Sequence, residues 1–219
     1  MNRVIYACDI GSTRSGAFAW ARVLPGLEKP RAGKDIAALV RYLIADAEHG
    51  LSIALGFESP LFLPVPHSHE QLSRGRAREN NRSMFAPAGA GVATLGVHQA
   101  AWILRAVRDK VGDQIEYTLD WDQWPPATDS QQLLIWEAFV SGNAHSKSHE
   151  HDAVTAAVSF RDNESKLDVA HAVTAESPLS MVHAVAIWAG WATDIERLHE
   201  ECFVLRPESA YAKEWESVG

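Results

Sequence analysis

Positive charge is in short supply in this chain: 20 Lys and Arg stand against 28 Asp and Glu, a formal charge of −8 at pH 7. That balance excludes a protein whose whole surface grips nucleic acid or an anionic membrane, so any basic site has to be local. Cysteine is scarcer still. Cys8 and Cys202 alone make no disulfide framework, and they suit a reducing compartment. Long apolar runs are absent as well. The longest mostly apolar stretch, Met181 to Ala192, contains His183 and falls short of a bilayer span. The apolar run after Arg3 reaches Asp9 too soon to serve as the apolar region of a secretory signal. A cytoplasmic protein with no membrane association is therefore expected. What is present is ordinary: 47% hydrophobic and 22% charged residues remove the disordered, collagen-like and coiled-coil classes. The 219 residues suffice for one globular domain with an appendage.

The pattern along the chain alternates strand and helix signals. Val4 to Cys8 is a continuous apolar run, as in a strand covered on both faces, and it stops at Asp9. Gly11 to Gly16 reads as a turn into a second strand-length run, Ala17 to Leu24, so the two strands form an antiparallel hairpin. A third hairpin strand between Pro25 and Gly33 is only weakly signalled. From Asp35 the apolar positions follow helical spacing up to Ala47, with Gly50 where a helix C-terminal glycine would stand. Leu51 to Phe57 is another buried strand, ending at Glu58. The stretch from Leu61 to Gly91 reads as a long loop with at most a short helix inside, and Thr94 as the cap of a helix running to about Lys110. Asp120 to Asp129 is loop, Leu133 to Val140 strand and Ala153 to Phe160 helix. Pro178 to Trp191 reads as a buried helix and Phe203 to Leu205 as a short final strand. This order predicts an α/β fold: a mixed sheet, with N-terminal antiparallel hairpin strands plus parallel strands, flanked by helices.

Three acids occupy equivalent places in that order. Asp9 ends the first strand, Glu58 ends a later one, and Asp152 opens a helix that packs beside them. Parallel neighbours end at one edge of the sheet, where open α/β sheets place their ligand crevice. Taken singly, Asp9 also reads as a turn former, Glu58 as a solvated strand end and Asp152 as a first-turn helix charge. Together they call for a cation, because bare carboxylates do not gather without one or a proton to relieve them. Oxygen ligands favour Mg²⁺ or Mn²⁺, and two such ions about 4 Å apart are the usual device for in-line phosphodiester displacement.

The segments ACDIGSTRSGAFAWARV (7 to 23), ALGFESPLFLPVP (54 to 66) and HEHDAVTAAVSF (149 to 160) resemble the three acidic motifs of the ribonuclease H-like superfamily. The ESPLFLP element, the Arg-rich segment after it and HDAVTAAV are similar to that superfamily's uncharacterised branch of predicted nucleases. The likeness covers roughly residues 3 to 160. It implies a ribonuclease H-like domain over residues 1–164, with residues 165–219 a helical C-terminal extension packed on the same domain. Within the superfamily the RuvC-type junction resolvases are the nearest chemical pattern. By that resemblance Asp9, Glu58 and Asp152 would hold the metal and act in catalysis, with His149 one helical turn before Asp152. The insert from Gly112 to Gln132 and the tail after Ser165 lie outside that pattern.

Further candidates surround these acids. Arg76, Arg78 and Arg82 lie in a short basic string and would hold the phosphates of DNA or RNA through their guanidinium forks; an exposed, locally paired helix is the competing reading. His67, His69, His145, His149 and His151 all fall in loops flanking the same rim, with His149 favoured. Gly89, Gly91 and Gly96 lack the Gly-Lys-Ser/Thr of a phosphate loop and read as a flexible entry to a helix. Trp121 and Trp124 read as core packing ahead of a base-stacking platform. The apolar helix with Trp188 and Trp191 serves a homodimer as readily as the core. The expected function is thus a Mg²⁺- or Mn²⁺-dependent nuclease. One alternative is a non-catalytic nucleotide- or nucleic-acid-binding adaptor on the same fold. Another is an ATP-dependent phosphotransferase, since DIGST before a hairpin is similar to the first phosphate motif of the actin and sugar-kinase superfamily; the second Asp-x-Gly hairpin and the adenosine-binding glycines of that superfamily are missing here.

Overall fold

The computed structural model describes residues 2–26, 29–79, 84–127 and 130–218. In chain order the elements are β1 (Arg3–Asp9), β2 (Ala19–Val23), β3 (Arg31–Gly33), α1 (Ile36–Glu48), β4 (Ser52–Glu58), β5 (Phe62–Pro64), α2 (Pro87–Val111), β6 (Glu116–Thr118) and β7 (Gln132–Ala138). There follow α3 (His149–Asn163), α4 (Leu167–Ala170), β8 (Pro178–Ser180), α5 (Met181–Trp188), β9 (Phe203–Leu205) and β10 (Glu216–Val218).

The main sheet runs β10-β3-β2-β1-β4-β7-β6, with β9 also on β7. β1, β2 and β3 are joined antiparallel, whereas β4 and β7 run parallel to β1. β1 lies at the middle and is apolar on both faces because both are covered. Val4, Tyr6 and Cys8 point into one core with α1, α2 and α5, while Ile5 and Ala7 point into the other, beneath α3. Asp35 caps α1, accepting from the Ala37 N–H at 2.8 Å, and Gly50 just past its end takes φ +80°, a conformation that favours glycine. α3 buries Ala153, Ala156 and Ala157 against the sheet, and these small side chains let it lie close over β1 and β2. Gly56 in β4 makes room for the Trp136 ring of neighbouring β7, since a Cβ there would sit 2.3 Å from it.

The expected mixed α/β sheet is present, and several local expectations need correction. α2 starts at Pro87, not Thr94, so Gly89, Gly91 and Gly96 are helical. Pro87 at the first turn lacks only an N–H that has no helical partner there. Gly96 has a packing reason: a Cβ would lie 2.0 Å from Ser59 Oγ, so glycine brings the helix against the residue that follows Glu58. Thr94, far from capping, returns its hydroxyl to the Ala90 carbonyl at 2.9 Å within the helix. The loop after Leu61 contains β5, which pairs antiparallel with β8. The run from Pro178 to Trp191 splits into β8 and α5; Trp191 is buried and donates to the Leu104 carbonyl at 2.8 Å, whereas Trp188 is 64% exposed. The tail is not purely helical. β9 continues the edge that β6 begins on β7, and β10 adds to β3 at the opposite edge. Among the described residues no helix is long and apolar enough to cross a membrane.

Candidate functional site

Parallel pairing of β1 with β4 is in register to the last residue, so Asp9 faces Glu58 across the ladder. Their carboxyl groups leave the sheet at the same rim. The turn after Asp9 is held from two sides: the Ala17 N–H returns to the Ser12 carbonyl at 3.0 Å, and Gln99 of α2 donates to the Gly11 carbonyl at 2.6 Å. Gly11 is required there because a Cβ would collide with the Ala17 carbonyl oxygen at 2.2 Å.

The third acid comes from α3. Ser148 caps this helix, accepting from the His151 N–H at 3.4 Å, which starts it early enough for His149 and Asp152 to share a face. His149 Nδ1 lies 2.6 Å from Asp9 Oδ2. Asp152 is 1% exposed; its Oδ1 accepts from the Ser146 N–H at 2.7 Å and its Oδ2 lies 2.7 Å from His145 Nδ1. The result is two histidine-carboxylate pairs flanking Glu58. Among the described residues Glu58 Oε2 is sealed from solvent and has no hydrogen-bond partner.

Electrostatics tie the three acids into one group. Burial pushes the Asp9 carboxyl up to about 6; the bond from His149 works against that rise and the charge of Asp152 adds to it. Glu58 is held well above the usual carboxylate range, first by burial and then by the charges of Asp9 and Asp152. Folding without a cation therefore costs more as these groups ionise. Both have folded-state values above their unfolded ones, so their contribution to stability is whole below about pH 4 and is lost as pH rises through 6 and beyond. In EDTA the melting temperature of the wild type is expected to fall by several degrees from pH 5 to pH 8, and that of Glu58→Gln to fall distinctly less. Parallel curves would mean that Glu58 is not strained by its neighbours.

As donors the residues suit a hard divalent ion: three carboxylates, one carrying an orphaned oxygen, and no cysteine. Among the described residues no group of three or more His, Cys, Asp or Glu stands in metal-binding geometry; His149 and His145 each engage one carboxylate oxygen. Asp9, Glu58 and Asp152 are the residues that would hold such an ion.

The remaining candidates scatter. Arg76 is not at a phosphate-binding surface: its guanidinium is buried, bidentate to Glu137 at 2.6 and 2.7 Å and bonded to Glu79 at 2.8 Å. Arg78 is exposed, with φ +66°. Arg82 lies outside the described residues. His67 and His69 are exposed, while His151 ties down the tail through the Tyr211 carbonyl at 2.6 Å. Trp124 is core and donates to Glu164 at 3.0 Å, and Trp121 stacks on His171 at 4.9 Å. His145, one of five loop histidines named from the sequence and ranked behind His149, proves to pair with Asp152, and one residue of weight escaped the sequence reading: Glu137 sits inside the apolar run of β7, where an acid was the signal. No family model, curated protein or solved structure matches the chain.

Proposed function

We propose that this chain is a divalent-metal-dependent nuclease on a ribonuclease H-like sheet, hydrolysing phosphodiester bonds of DNA or RNA. One observation carries the reading: Asp9 and Glu58 end adjacent parallel strands in register, beside Asp152, with a buried, partnerless oxygen on Glu58. A mixed sheet of N-terminal antiparallel strands plus parallel ones is what the sequence resemblance leads one to expect, which supports the same reading.

Mg²⁺ or Mn²⁺ held by Asp9, Glu58 and Asp152 would supply Lewis-acid activation of water and of the departing oxygen. The chain supplies the rest. His149 fixes the orientation of Asp9 through Nδ1 and, half-exposed, stands where it can pass a proton between the rim and solvent. His145 and the Ser146 N–H do the same positioning for Asp152. The in-register strand ends set the spacing of the acids on rigid elements rather than loops. Arg78, exposed, is one cation available to steer a phosphate backbone. A cytoplasmic setting fits the two buried free thiols, and the exposed Trp188 of α5 offers a face for a homodimer.

The test is cleavage of end-labelled single-stranded, duplex, hybrid and junction substrates in Mg²⁺ or Mn²⁺ against EDTA. Cation-dependent product on at least one substrate is expected. No product on any of them would overturn the proposal. Salt-sensitive binding without turnover would then mark an adaptor, and ATP hydrolysis a phosphotransferase.

A further inference from the structure

A cleft of about 460 Å³ opens beside Glu58 and Ser59, a volume in the range of pockets that take small organic groups. Its walls are chiefly apolar, from Pro60, Met84, Val92, Phe139 and Val140. Phe139 is the one flat aromatic surface among them, and the Arg206 guanidinium lies over its ring at 4.3 Å. The polar wall consists of Arg76, Glu79 and Glu137. Arg76 directs its guanidinium into the two carboxylates, and Ser59 Oγ lies 3.2 Å from the Val92 carbonyl it donates to. Among the described residues that line it, the cleft therefore presents the carboxyl groups of Glu58, Glu79 and Glu137 and one guanidinium, that of Arg76, already neutralised, with Arg206 over the Phe139 ring at its edge.

That described lining, with its one guanidinium already engaged, suits a flat, apolar group carrying N–H donors better than a phosphate. Each carboxylate oxygen accepts more than one hydrogen bond, so Glu79, whose two oxygens take one bond each from Arg76, keeps acceptor capacity. We infer that the cleft takes a single unstacked nucleobase bearing an exocyclic amino group, from the nucleotide next to the phosphodiester addressed by Asp9, Glu58 and Asp152. The inference rests on the proposed nuclease reading and narrows its substrate. A base reaches the cleft only from a single strand or a locally unpaired site, because a base inside a duplex is stacked away from it. Thymine and uracil, with no exocyclic amino group, fit the acceptor-rich wall less well.

The probes are fluorescein-labelled dA, dC and dT 12-mers, titrated by anisotropy in Ca²⁺ with gels to confirm intact oligomer. The dA and dC strands are expected to bind on the order of tenfold tighter than dT, the scale of one lost base interaction. Ala88→Trp, on the exposed first turn of α2 at the cleft wall, is expected to erase that preference without touching the core. Phe139→Ala is expected to do the same by removing the stacking surface. Equal affinity for all three strands, no binding of any, or a preference that survives Ala88→Trp would overturn the inference. Binding is read without turnover: a wild type that cleaves but binds all three strands equally refutes the cleft alone, and a wild-type preference without cation-dependent cleavage refutes the nuclease reading alone.

Discussion

Asp9→Asn is expected to abolish cation-dependent hydrolysis, by about 10³-fold or more, while leaving a folded protein whose metal-free form is more stable than the wild type. The two effects have one cause. Asp9 is buried among Glu58 and Asp152, and burial raises its carboxyl to about 6, so at neutral pH its ionisation opposes folding. An isosteric amide removes that charge and keeps an oxygen for His149, 2.6 Å away. The rise from an ordinary 3.8 corresponds to roughly 3 kcal/mol at pH values above 6. The same substitution removes an anionic ligand, and metal-assisted charge stabilisation is worth several kcal/mol of barrier, which is about three decades in rate. Cation binding gives an independent readout. At one hundred times its dissociation constant a cation bound by the native state adds about 2.7 kcal/mol, a shift of roughly 5 to 10 °C for a domain of this size. Wild type in Mn²⁺ should show that shift, and Asp9→Asn and Glu58→Gln should show less than half of it. An Asp9→Asn protein that still cleaves in Mn²⁺, or that gains the full shift, would remove the acid cluster from the mechanism.

The rim was legible because Asp9 and Glu58 each end an apolar run and Asp152 opens one. Asp9 and Glu58 close runs buried throughout from Val4 to Cys8 and from Ser52 to Phe57, and two such runs separated by a helix become parallel neighbours. The hairpin and α1 were legible for similar local reasons: a Gly-bounded turn, and helical spacing with Asp35 and Gly50 at its ends. What escaped has its cause outside the segment concerned. Pro87 to Gly91 has poor helix propensity, yet it is helical because α2 packs on Ser59 and on α1 and α5. β5, β8 and β10 are three residues each, too short to carry a period, and exist through their partners. His145 looked like its neighbours until the fold set it against Asp152. The Arg74 to Arg82 string shows the same limit most clearly. Its charge pattern suits a solvated basic face, whereas one of its arginines is a core residue whose counter-charge, Glu137, lies 61 positions away on a central strand.

Arg76 yields the second large effect, on stability. Burial works against its charge, but Glu137 and Glu79 together hold the guanidinium firmly protonated. All three side chains are at most 5% exposed, the Leu61 N–H adds a further bond to Glu137 at 2.9 Å, and the Phe62 ring lies 4.5 Å from the guanidinium. Arg76→Met keeps much of the volume but strands two buried carboxylates, which should cost about 3 to 5 kcal/mol. For a chain of this length that is roughly a 10 °C fall in melting temperature, against a change within about 0.5 kcal/mol for Arg78→Ala on the surface. Changing all three residues together, Arg76→Met with Glu79→Gln and Glu137→Gln, removes the uncompensated charge and should recover much of the loss, so the single and triple variants measured by urea unfolding separate charge from packing. The salt dependence of nucleic-acid binding should not change in the triple variant, because a guanidinium already spent on two carboxylates releases no counterions from a phosphate backbone. An Arg76→Met protein as stable as wild type but with a shallower salt slope would reverse the assignment and return this arginine to the surface role its sequence suggests.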